Sequence, residues 1–497
     1  MAFLMVTLSL VVIFITALLL YFRKVQFYWE SRGIPHEPAA FIVGNMKGVG
    51  TETTIMEPFN RAYNKFKNTS PVAGMVFFFD GIYITTSLEF VKSILIKDFQ
   101  NFNDRNMYVN EENDPLSAHM FSLKGKQWKD LRTKVSPTFT SGKMKFMFPT
   151  IVEVSKEMGA VFAEKSSQNF VLEIRDAMSR FTVDVIGKCA FGLDTNTMRN
   201  PDDEFIKMGK KAFGEQRHSD FITNMIQSFQ TAAKLFGMKI IRDDVTDFFL
   251  GIVKKTVEYR EENKIQKNDF MNLLIELKNG AEENRLTLNE ISAQAFLFFV
   301  AGFETTSATL GFLFYHLALD QEMQDKARAE VNEVLKKCNG KLEYENIKDL
   351  VYLDMLFNET LRMYPPVPIY MRKAINDFKI PDTDITLEAG KGVMIPVYAI
   401  QHDPEIFPEP EKFIPERFTP EEVANRHPMA FIPFGEGPRI CIGLRFAKMQ
   451  AYVGLVELLS KFKFLPTENT PKKIEFVKNK FFLTAEGEGI PLRIEQI

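Results

Sequence analysis

One cysteine near the C-terminus lies in a loop whose composition suits metal binding. Glycine and proline surround it in the run Phe434-Gly435-Glu436-Gly437-Pro438-Arg439-Ile440-Cys441-Ile442-Gly443. Glycine reaches backbone conformations that other residues avoid, and proline fixes its own φ and removes one donor. Such a loop can direct several backbone N–H groups at one sulfur. Together with Arg439, these donors would hold Cys441 as the thiolate, which is the form that ligates metal.

A single thiolate restricts the kind of metal centre that this loop could hold. Structural zinc takes four protein ligands, whereas a haem macrocycle supplies four ligands of its own to the iron. An axial thiolate pushes electron density toward haem iron and favours O–O cleavage. A lone cysteine is more often a small buried hydrophobe than a ligand, so the sulfur needs support from its context.

A second stretch places polar groups in the middle of an apolar helix. The run Thr287-Leu288-Asn289-Glu290 predicts a capping box, and apolar residues follow from Ile291 to Leu319. This predicts a buried rod about 45 Å long. Its centre reads Ala301-Gly302-Phe303-Glu304-Thr305-Thr306. Acid and hydroxyl groups are unfavourable there unless hydrogen-bonded, which indicates either chemistry or a satisfied structural kink.

A third pattern predicts a buried ion pair. Glu359 and Arg362 are three apart on a predicted helix with apolar neighbours. Such pairs usually lie on the surface and contribute little to stability, whereas a buried pair requires further hydrogen bonds. Arg417, in the run Pro415-Glu416-Arg417-Phe418, is the candidate third partner.

The N-terminus predicts a membrane anchor. Residues Ala2 to Phe22 carry no charge, and their number matches a helix that spans a bilayer. Arg23 and Lys24 follow at once, and positive flanks tend to stay cytoplasmic. The rival interpretation is a cleaved signal peptide, but a basic start and a clear cleavage site are not evident. A turn-rich segment, 33–45, predicts a hinge after the anchor.

Composition excludes several classes of protein. The chain has 497 residues, 45% hydrophobic content and a net charge of −3, so no basic excess favours nucleic acid. The length corresponds to about three domains of ordinary size, although single folds also run longer. The three cysteines, Cys189, Cys338 and Cys441, are too few and odd in number for a disulfide framework, which favours a reducing compartment.

The other segments give a coarse structural prediction. Trp128 and Arg132 are four apart and share one helix face. Apolar runs around Asp80-Gly81 predict a β-hairpin, and polar residues 101–125 predict a long loop. We further expect helices over 150–280, with two at 220–246 that line a pocket mouth or touch the bilayer, short strands over 379–397, a helix over 444–464 and β-structure around 480–487.

Taken in order, these motifs resemble the cytochrome P-450 superfamily of haem-thiolate monooxygenases. The chain carries W-x-x-x-R, A-G-x-E-T-T, E-x-x-R, P-E-R-F and F-G-x-G-x-R-x-C-x-G, and only the proline-rich hinge is thinned. The local sequences at 114–119 and 136–143 are most similar to those of insect microsomal members that metabolise xenobiotics. The resemblance implies a mainly α fold with a smaller β lobe, shaped as a triangular helical prism, and one N-terminal transmembrane helix. It divides the chain into an anchor (1–22), a basic Pro/Gly-containing linker (23–45) and a catalytic domain (46–497).

The resemblance also assigns roles to residues. Cys441 would be the axial ligand of haem b, and Glu304 and Thr305 would deliver protons during oxygen activation. Glu359, Arg362 and Arg417 would form a structural network that supports folding and haem retention. The resemblance implies that four residues would hold the haem propionates: Trp128, Arg132, Arg372 and Arg439. It implies four further haem contacts, at Ala301, Phe434, Gly435 and Gly443.

The implied reaction inserts one oxygen atom of O2 into lipophilic small molecules, such as plant toxins, insecticides, hormones or lipids. The resemblance also implies that electrons would come from NADPH through a separate cytochrome P-450 reductase, with cytochrome b5 as a further partner. No G-x-G-x-x-G nucleotide motif is evident, so we do not expect the chain to bind NADPH itself. The implied location is the endoplasmic reticulum membrane, with the catalytic domain in the cytosol. Two alternatives stay open: a reductase-independent haem-thiolate isomerase or dehydratase of the same fold, and a non-enzymatic haem or small-molecule binding protein.

Overall fold

The computed structural model describes residues 2–41, 43–78, 80–166, 170–267, 269–280 and 285–497. Its α-helices are α1 (Ala2–Gln26), α2 (Met56–Phe66), α3 (Leu88–Lys92), α4 (Gly125–Val135), α5 (Ser141–Ser166), α6 (Ile174–Ile186), α7 (Glu204–Gly214), α8 (Asp220–Ser228), α9 (Gln230–Leu235), α10 (Asp243–Glu262), α11 (Phe270–Asn279), α12 (Leu288–Leu319), α13 (Gln321–Lys337), α14 (Val351–Met363), α15 (Val397–Gln401), α16 (Pro420–Ala424) and α17 (Leu444–Leu459). Its strands are β1 (Val72–Phe77), β2 (Asp80–Thr85), β3 (Val171–Glu173), β4 (Tyr370–Lys373), β5 (Phe378–Lys379), β6 (Thr386–Leu387), β7 (Gly392–Ile395), β8 (Phe462–Pro466) and β9 (Pro491–Gln496). The predicted helical fold with a smaller β component is confirmed.

Helix α12 runs through the main hydrophobic core. The predicted capping box is present: the Thr287 hydroxyl accepts from the Glu290 amide at 3.2 Å, and the Glu290 carboxylate accepts from the Thr287 amide at 2.8 Å. The helix is 32 residues long, and most of its side chains are buried. It packs against α6, α10, α14 and α17. An apolar helix of this length is stabilised by neighbours on most of its faces, as the sequence predicted.

The main sheet has the strand order β1-β2-β7-β4, in which only the β2–β7 pair is parallel. The predicted hairpin of β1 and β2 is confirmed, but the predicted turn at Asp80-Gly81 is wrong. Asp80 pairs with Phe77 and Gly81 with Val76, so both lie inside β2. A side chain at Gly81 would place its Cβ 2.8 Å from the Tyr28 ring. This glycine therefore allows close approach of another segment rather than a turn.

The segment predicted as a linker packs onto this sheet. Trp29 is fully buried, and its indole N–H donates to the Met75 carbonyl at 2.8 Å. A Cβ on Gly74 would lie 2.2 Å from the Trp29 ring, so the strand leaves room for the indole. Burial of an aromatic side chain with its N–H satisfied joins the start of the chain to the β lobe.

The C-terminal region differs from its prediction in two places. Helix α17 ends at Leu459 rather than Phe464, because Phe462 already pairs with Gln496 in a sheet of order β3-β9-β8. The β-structure expected around 480–487 is reduced to one isolated bridge between Phe476 and Ala485, and the strand lies further on, in β9.

Helix α1 has the opposite environment to α12. Its span Phe3–Val25 is long and apolar enough to cross a membrane, and its side chains are exposed from Phe3 to Tyr21, whereas Phe22 is buried. Arg23 and Lys24 lie in its last turn. This supports the predicted membrane anchor.

Candidate functional site

A cavity of about 1080 Å³ lies between α12, the cysteine-bearing loop and the segments that cover them. Thr305 and Ala301 line it from α12, and Cys441 lines it from the loop before α17. Its other lining side chains are largely apolar, which suits a lipophilic ligand. They include Ile369, Met371, Phe481 and Phe482, so the 480–487 segment reaches the cavity.

The cysteine loop is fixed by its backbone. Gly437 has a φ of +71°, and a Cβ there would lie 1.9 Å from the Leu95 carbonyl oxygen. The Cys441 amide donates to the Phe434 carbonyl at 2.9 Å, which closes the loop. A residue other than glycine at 437 would move the loop, because the obstacle is backbone.

The surroundings of the sulfur act on its pKa in opposite directions. Burial raises the pKa of the Cys441 thiol, while the Gly443 N–H and the charges of Arg132 and Arg105 lower it. Arg132 also donates to the Ile440 carbonyl at 3.0 Å, so it holds the loop as well. Burial is the larger influence, so the pKa of this thiol is raised, and a metal cation bound to the sulfur would favour the thiolate.

Of the two roles predicted for Arg439, the structure contradicts the one at the sulfur. Instead of acting on the sulfur, its guanidinium donates to the Leu123 carbonyl at 2.6 Å and lies over the Trp128 ring at 4.3 Å. Burial and the charge of Arg372 lower the pKa of Arg439 to about 9, and burial lowers that of Arg372 to about 10. Two buried guanidinium groups that repel each other would be stabilised by an anion beside them.

Arg105 is a further cation on this wall that the sequence did not reveal. It donates to the Phe121 carbonyl at 3.0 Å and to the Arg439 carbonyl at 3.3 Å, and it lines the same cavity. Burial and the charges of Arg372 and Arg439 lower its pKa well below the ordinary value. It lies in an irregular loop, where neither periodicity nor a motif marks it.

These residues fit a haem. The Nε atoms of Arg372 and Arg439 are buried and have no hydrogen-bond partner, so donors for carboxylates are available on this wall. Over the described residues, no group of three or more His, Cys, Asp or Glu side chains could hold a metal ion. A metal bound at the single thiol must therefore bring most of its ligands with it, as haem iron does.

On α12 the two threonines differ. The Thr305 hydroxyl donates to the Ala301 carbonyl at 2.7 Å, a back-bond that leaves its oxygen on the cavity side. The Thr306 hydroxyl accepts from the Gln450 amide at 2.7 Å, and that amide also donates to the Gly302 carbonyl. Both threonines line the cavity, but the Thr306 hydroxyl is bonded to α17, whereas the Thr305 hydroxyl is bonded only within its own helix.

Glu304 lies on a different face of α12 from Thr305. Its carboxylate forms a salt bridge with Arg175 at the start of α6, and both side chains are largely buried. The structure thus brings Thr305, but not the Glu304 carboxylate, to the lining of the cavity. Arg175 is a second site-related residue that the sequence did not reveal, because it lies 129 positions from its partner.

The predicted burial of the ion pair on α14 is confirmed. Glu359 and Arg362 are 2.7 Å apart, and both side chains are completely buried. Arg362 also donates to the Gln401 carbonyl at 3.0 Å, and Glu359 accepts from the Ile414 amide at 2.9 Å. Arg417 approaches Glu359 at 3.4 Å, as the third partner was expected to do.

Comparison with known proteins agrees with this geometry. The family model described as Cytochrome P450 matches residues 35–490. Among Drosophila melanogaster proteins, probable cytochrome P450 6a14 is 44% identical over 95% of this chain and 96% of its own length. Cytochrome P450 6a8 is 45% identical over 98% of both chains, and cytochrome P450 6a9 is 42% identical over 99% of both. The chain therefore belongs to the cytochrome P450 family of haem-thiolate monooxygenases and is of the insect type that these relatives represent.

Proposed function

We propose that this monooxygenase takes electrons from NADPH through a separate membrane reductase and oxidises lipophilic small molecules. Xenobiotics such as plant toxins or insecticides are the proposed main substrates, and hormones or lipids are further candidates. The observation that carries the proposal is the apolar cavity that places the Thr305 hydroxyl and the Cys441 thiol on its walls. A family member with a spacious apolar cavity suits varied apolar substrates rather than one polar metabolite.

The haem, when bound, supplies the activation of dioxygen and the transfer of one oxygen atom to the substrate. Cys441 would hold its iron, and Trp128, Arg132, Arg372, Arg439 and Arg105 would hold its propionates. An Arg guanidinium offers a planar pair of donors for each carboxylate. Ala301, Phe434, Gly435 and Gly443 would contact the flat macrocycle, for which a loop with little side-chain bulk is suited.

Thr305 is the proposed last donor in proton delivery. Its hydroxyl donates to a backbone carbonyl and keeps its oxygen available to accept from water in the cavity. Glu304 would supply protons from the other face of α12 after it separates from Arg175. A positioned acid or hydroxyl of this kind contributes about a hundredfold or more to a proton-transfer step.

We further propose that the protein resides in the endoplasmic reticulum membrane. Helix α1 would anchor it, and residues 46–497 would form the catalytic domain on the cytosolic side, next to the basic pair Arg23 and Lys24. The reductase, with cytochrome b5 as a further electron donor, would approach from the same side.

The experiment that tests this proposal is a comparison of Thr305→Ala with Thr306→Ala in reconstituted membranes with reductase. We expect Thr305→Ala to keep the haem-thiolate absorption of the reduced CO complex, while product per NADPH falls and hydrogen peroxide rises to match. Thr306→Ala should uncouple less, because its hydroxyl is already bonded to the Gln450 amide.

Three results would contradict parts of the proposal. If Thr305→Ala forms as much product per NADPH as the wild type, the role of Thr305 is to shape the helix and not to deliver protons. Absence of NADPH consumption with a matched reductase and a bound substrate would favour an isomerase or a carrier. Survival of the haem-thiolate spectrum in Cys441→Ser would remove the assigned ligand.

A further inference from the structure

Two separate segments cover the cavity. The first is the loop 106–118, which contributes Met107 to the lining, and the second is the stretch 220–241, which contains α8 and α9 and contributes Gln227 and Thr231. They are about a hundred residues apart in sequence. The loop carries only a short 3-10 helix at Pro115–Ser117, so its shape depends on side-chain hydrogen bonds.

Asp114 joins the loop to the second segment. Its side chain is completely buried, and its Oδ2 accepts from the Ile240 amide at 2.8 Å and from the Ile241 amide at 3.1 Å. These two amides lie in the turn that precedes α10. Hydrogen bonds to a carboxylate are stronger than neutral ones, and a buried carboxylate that loses them is costly to accommodate.

Further hydrogen bonds repeat the connection. The Tyr108 hydroxyl donates to the Met238 carbonyl at 2.7 Å, and the Asn110 amide donates to the same carbonyl at 3.2 Å. The Tyr108 amide donates to the Gln227 side chain at 3.1 Å. The loop therefore contacts both α8 and the 238–241 turn through hydrogen bonds that involve three of its residues, Tyr108, Asn110 and Asp114.

The two segments also share a small hydrophobic core of their own. Tyr108, Ile226 and Ala233 form this cluster, with Met238 and Ile240 packed against it, separate from the two larger clusters. At its far end the loop is fixed to α12, where the Gln294 side chain accepts from the Met120 amide at 2.9 Å. The cover thus has its own core and a defined attachment to the body of the protein.

We propose that Asp114 is a positioning residue that latches the loop 106–118 to the 238–241 turn, so that both segments open as one cover when a bulky ligand enters or leaves. This deepens the proposed function, because it names what controls access to its cavity. A ligand small enough to pass the closed cover does not require the latch to open. Loss of the latch should therefore speed both entry and exit of large ligands.

The first test is hydrogen exchange of the full-length haem-loaded protein and its Asp114→Ala and Asp114→Asn variants. In Asp114→Ala we expect peptides from 106–118 and from 226–241 to exchange about tenfold faster together, with α12 unchanged, because opening exposes both sides of the shared core. Asp114→Asn retains one acceptor oxygen and should show a smaller effect. Faster exchange in only one of the two segments would overturn the proposal.

The second test measures ligand binding without NADPH or reductase, through the change in haem absorbance. Imidazole is the small probe, and clotrimazole, an imidazole with a triphenylmethyl group, is the bulky one. For Asp114→Ala we expect about tenfold higher association and dissociation rates for clotrimazole, a Kd within about threefold of wild type, and imidazole rates within about twofold. A merely structural role would change thermal stability and leave the clotrimazole rates unaltered, which would refute the latch.

One variant serves as a control, and another tests the latch a second time. Asp202→Ala removes an exposed carboxylate that pairs with Lys207 away from the cover, and it should leave all rates unchanged. Tyr108→Phe removes only the hydroxyl that donates to Met238, and it should speed clotrimazole in the same direction even if Asp114→Ala does not fold. Unaltered rates in Tyr108→Phe and Asp114→Asn together would also refute the latch. Failure of the proposed function would appear as absent NADPH consumption, which none of these measurements involves.

Discussion

Helices α1 and α12 are both long and apolar enough to cross a membrane, yet they occupy opposite environments. The side chains of α1 are exposed from Phe3 to Tyr21, whereas 67% of an apolar 18-residue stretch of α12 is buried inside the protein. Length and hydropathy alone would treat them as equivalent. Overall apolar character therefore does not distinguish an anchor from the central helix of a folded domain.

The polar side chains of the two helices are satisfied in different ways. In α1, the Thr7 and Ser9 hydroxyls donate to carbonyls four residues earlier in the same helix, at 2.8 and 2.9 Å. In α12, several side chains, among them Thr305 and Thr309, also donate to carbonyls of their own helix. In addition, Gln294 accepts from Met120 and Thr306 accepts from Gln450, so these two side chains have partners on other elements. A helix that is satisfied internally suits a lipid environment, and a helix that needs distant partners is specified by its fold.

The largest difference between the two helices is expected when one charged residue is introduced into each of them. Phe303 on α12 is 1% exposed and Phe14 on α1 is 67% exposed. Phe303→Glu buries an uncompensated carboxylate, so we expect no haem-loaded protein. Phe14→Glu should lower membrane attachment and leave the haem spectrum intact. Expression followed by absorption spectra and membrane fractionation checks both variants, and equal loss of haem in the two would remove the distinction.

Deletion of residues 1–22 tests the outer helix alone. The side chains from Phe3 to Tyr21 are exposed, and Phe22 alone among the described residues of this segment is buried, against Phe41. We therefore expect much of the protein to leave the membrane while the haem spectrum survives and the thermal midpoint changes little. Sedimentation of microsomes and thermal melting measure the two effects. A truncated chain that fails to fold would show that α1 belongs to the core.

Next in size is the ion pair on α14, a helix that packs against α12. Arg362→Ala leaves the Glu359 carboxylate buried with one strong partner removed, which costs roughly 3–5 kcal/mol. We expect a lower yield of haem-loaded protein and a clearly lower thermal midpoint. The matched control is Arg199→Ala, because Arg199 pairs with two exposed carboxylates, Glu157 and Glu164. Such surface pairs contribute about 0–1 kcal/mol, so similar effects in both variants would contradict the distinction between buried and exposed pairs.

Local sequence patterns predicted the parts of the site that depend on neighbours in the chain. The capping box of α12 and the buried pair Glu359–Arg362 follow from spacings of three residues. Arg105, Arg175 and Asp114 were missed because their partners lie far away in sequence and their own surroundings carry no periodic signal. Gly81 shows the same limit: Asp-Gly is typical of a turn, but the packing of Tyr28 against the strand requires this glycine.

The smallest expected effect comes from His316, in the last turn of α12. Burial first, and then the charge of Arg362, lower its pKa from 6.5 to about 3, and its ring lies 3.0 Å from the Tyr364 hydroxyl. The unfolded chain binds a proton at this histidine below about pH 6.5 and the folded chain does not, so acid destabilises the fold. From pH 6.5 down toward 3, the free energy of unfolding should fall by at most about 1.4 kcal/mol per pH unit from this group.

Thermal melting at pH 7, 6 and 5 measures this dependence. His316→Gln should reduce the slope below pH 6.5, because glutamine binds no proton in either state. The protein that lacks residues 1–22 should keep the full slope, since α1 contributes no titratable histidine. If His316→Gln keeps the wild-type slope, the acid sensitivity arises at other buried groups, such as His402, whose pKa is also lowered to about 3 by burial. In that case the burial of α12 would be evident from its packing and would have no measurable effect on the pH dependence of stability.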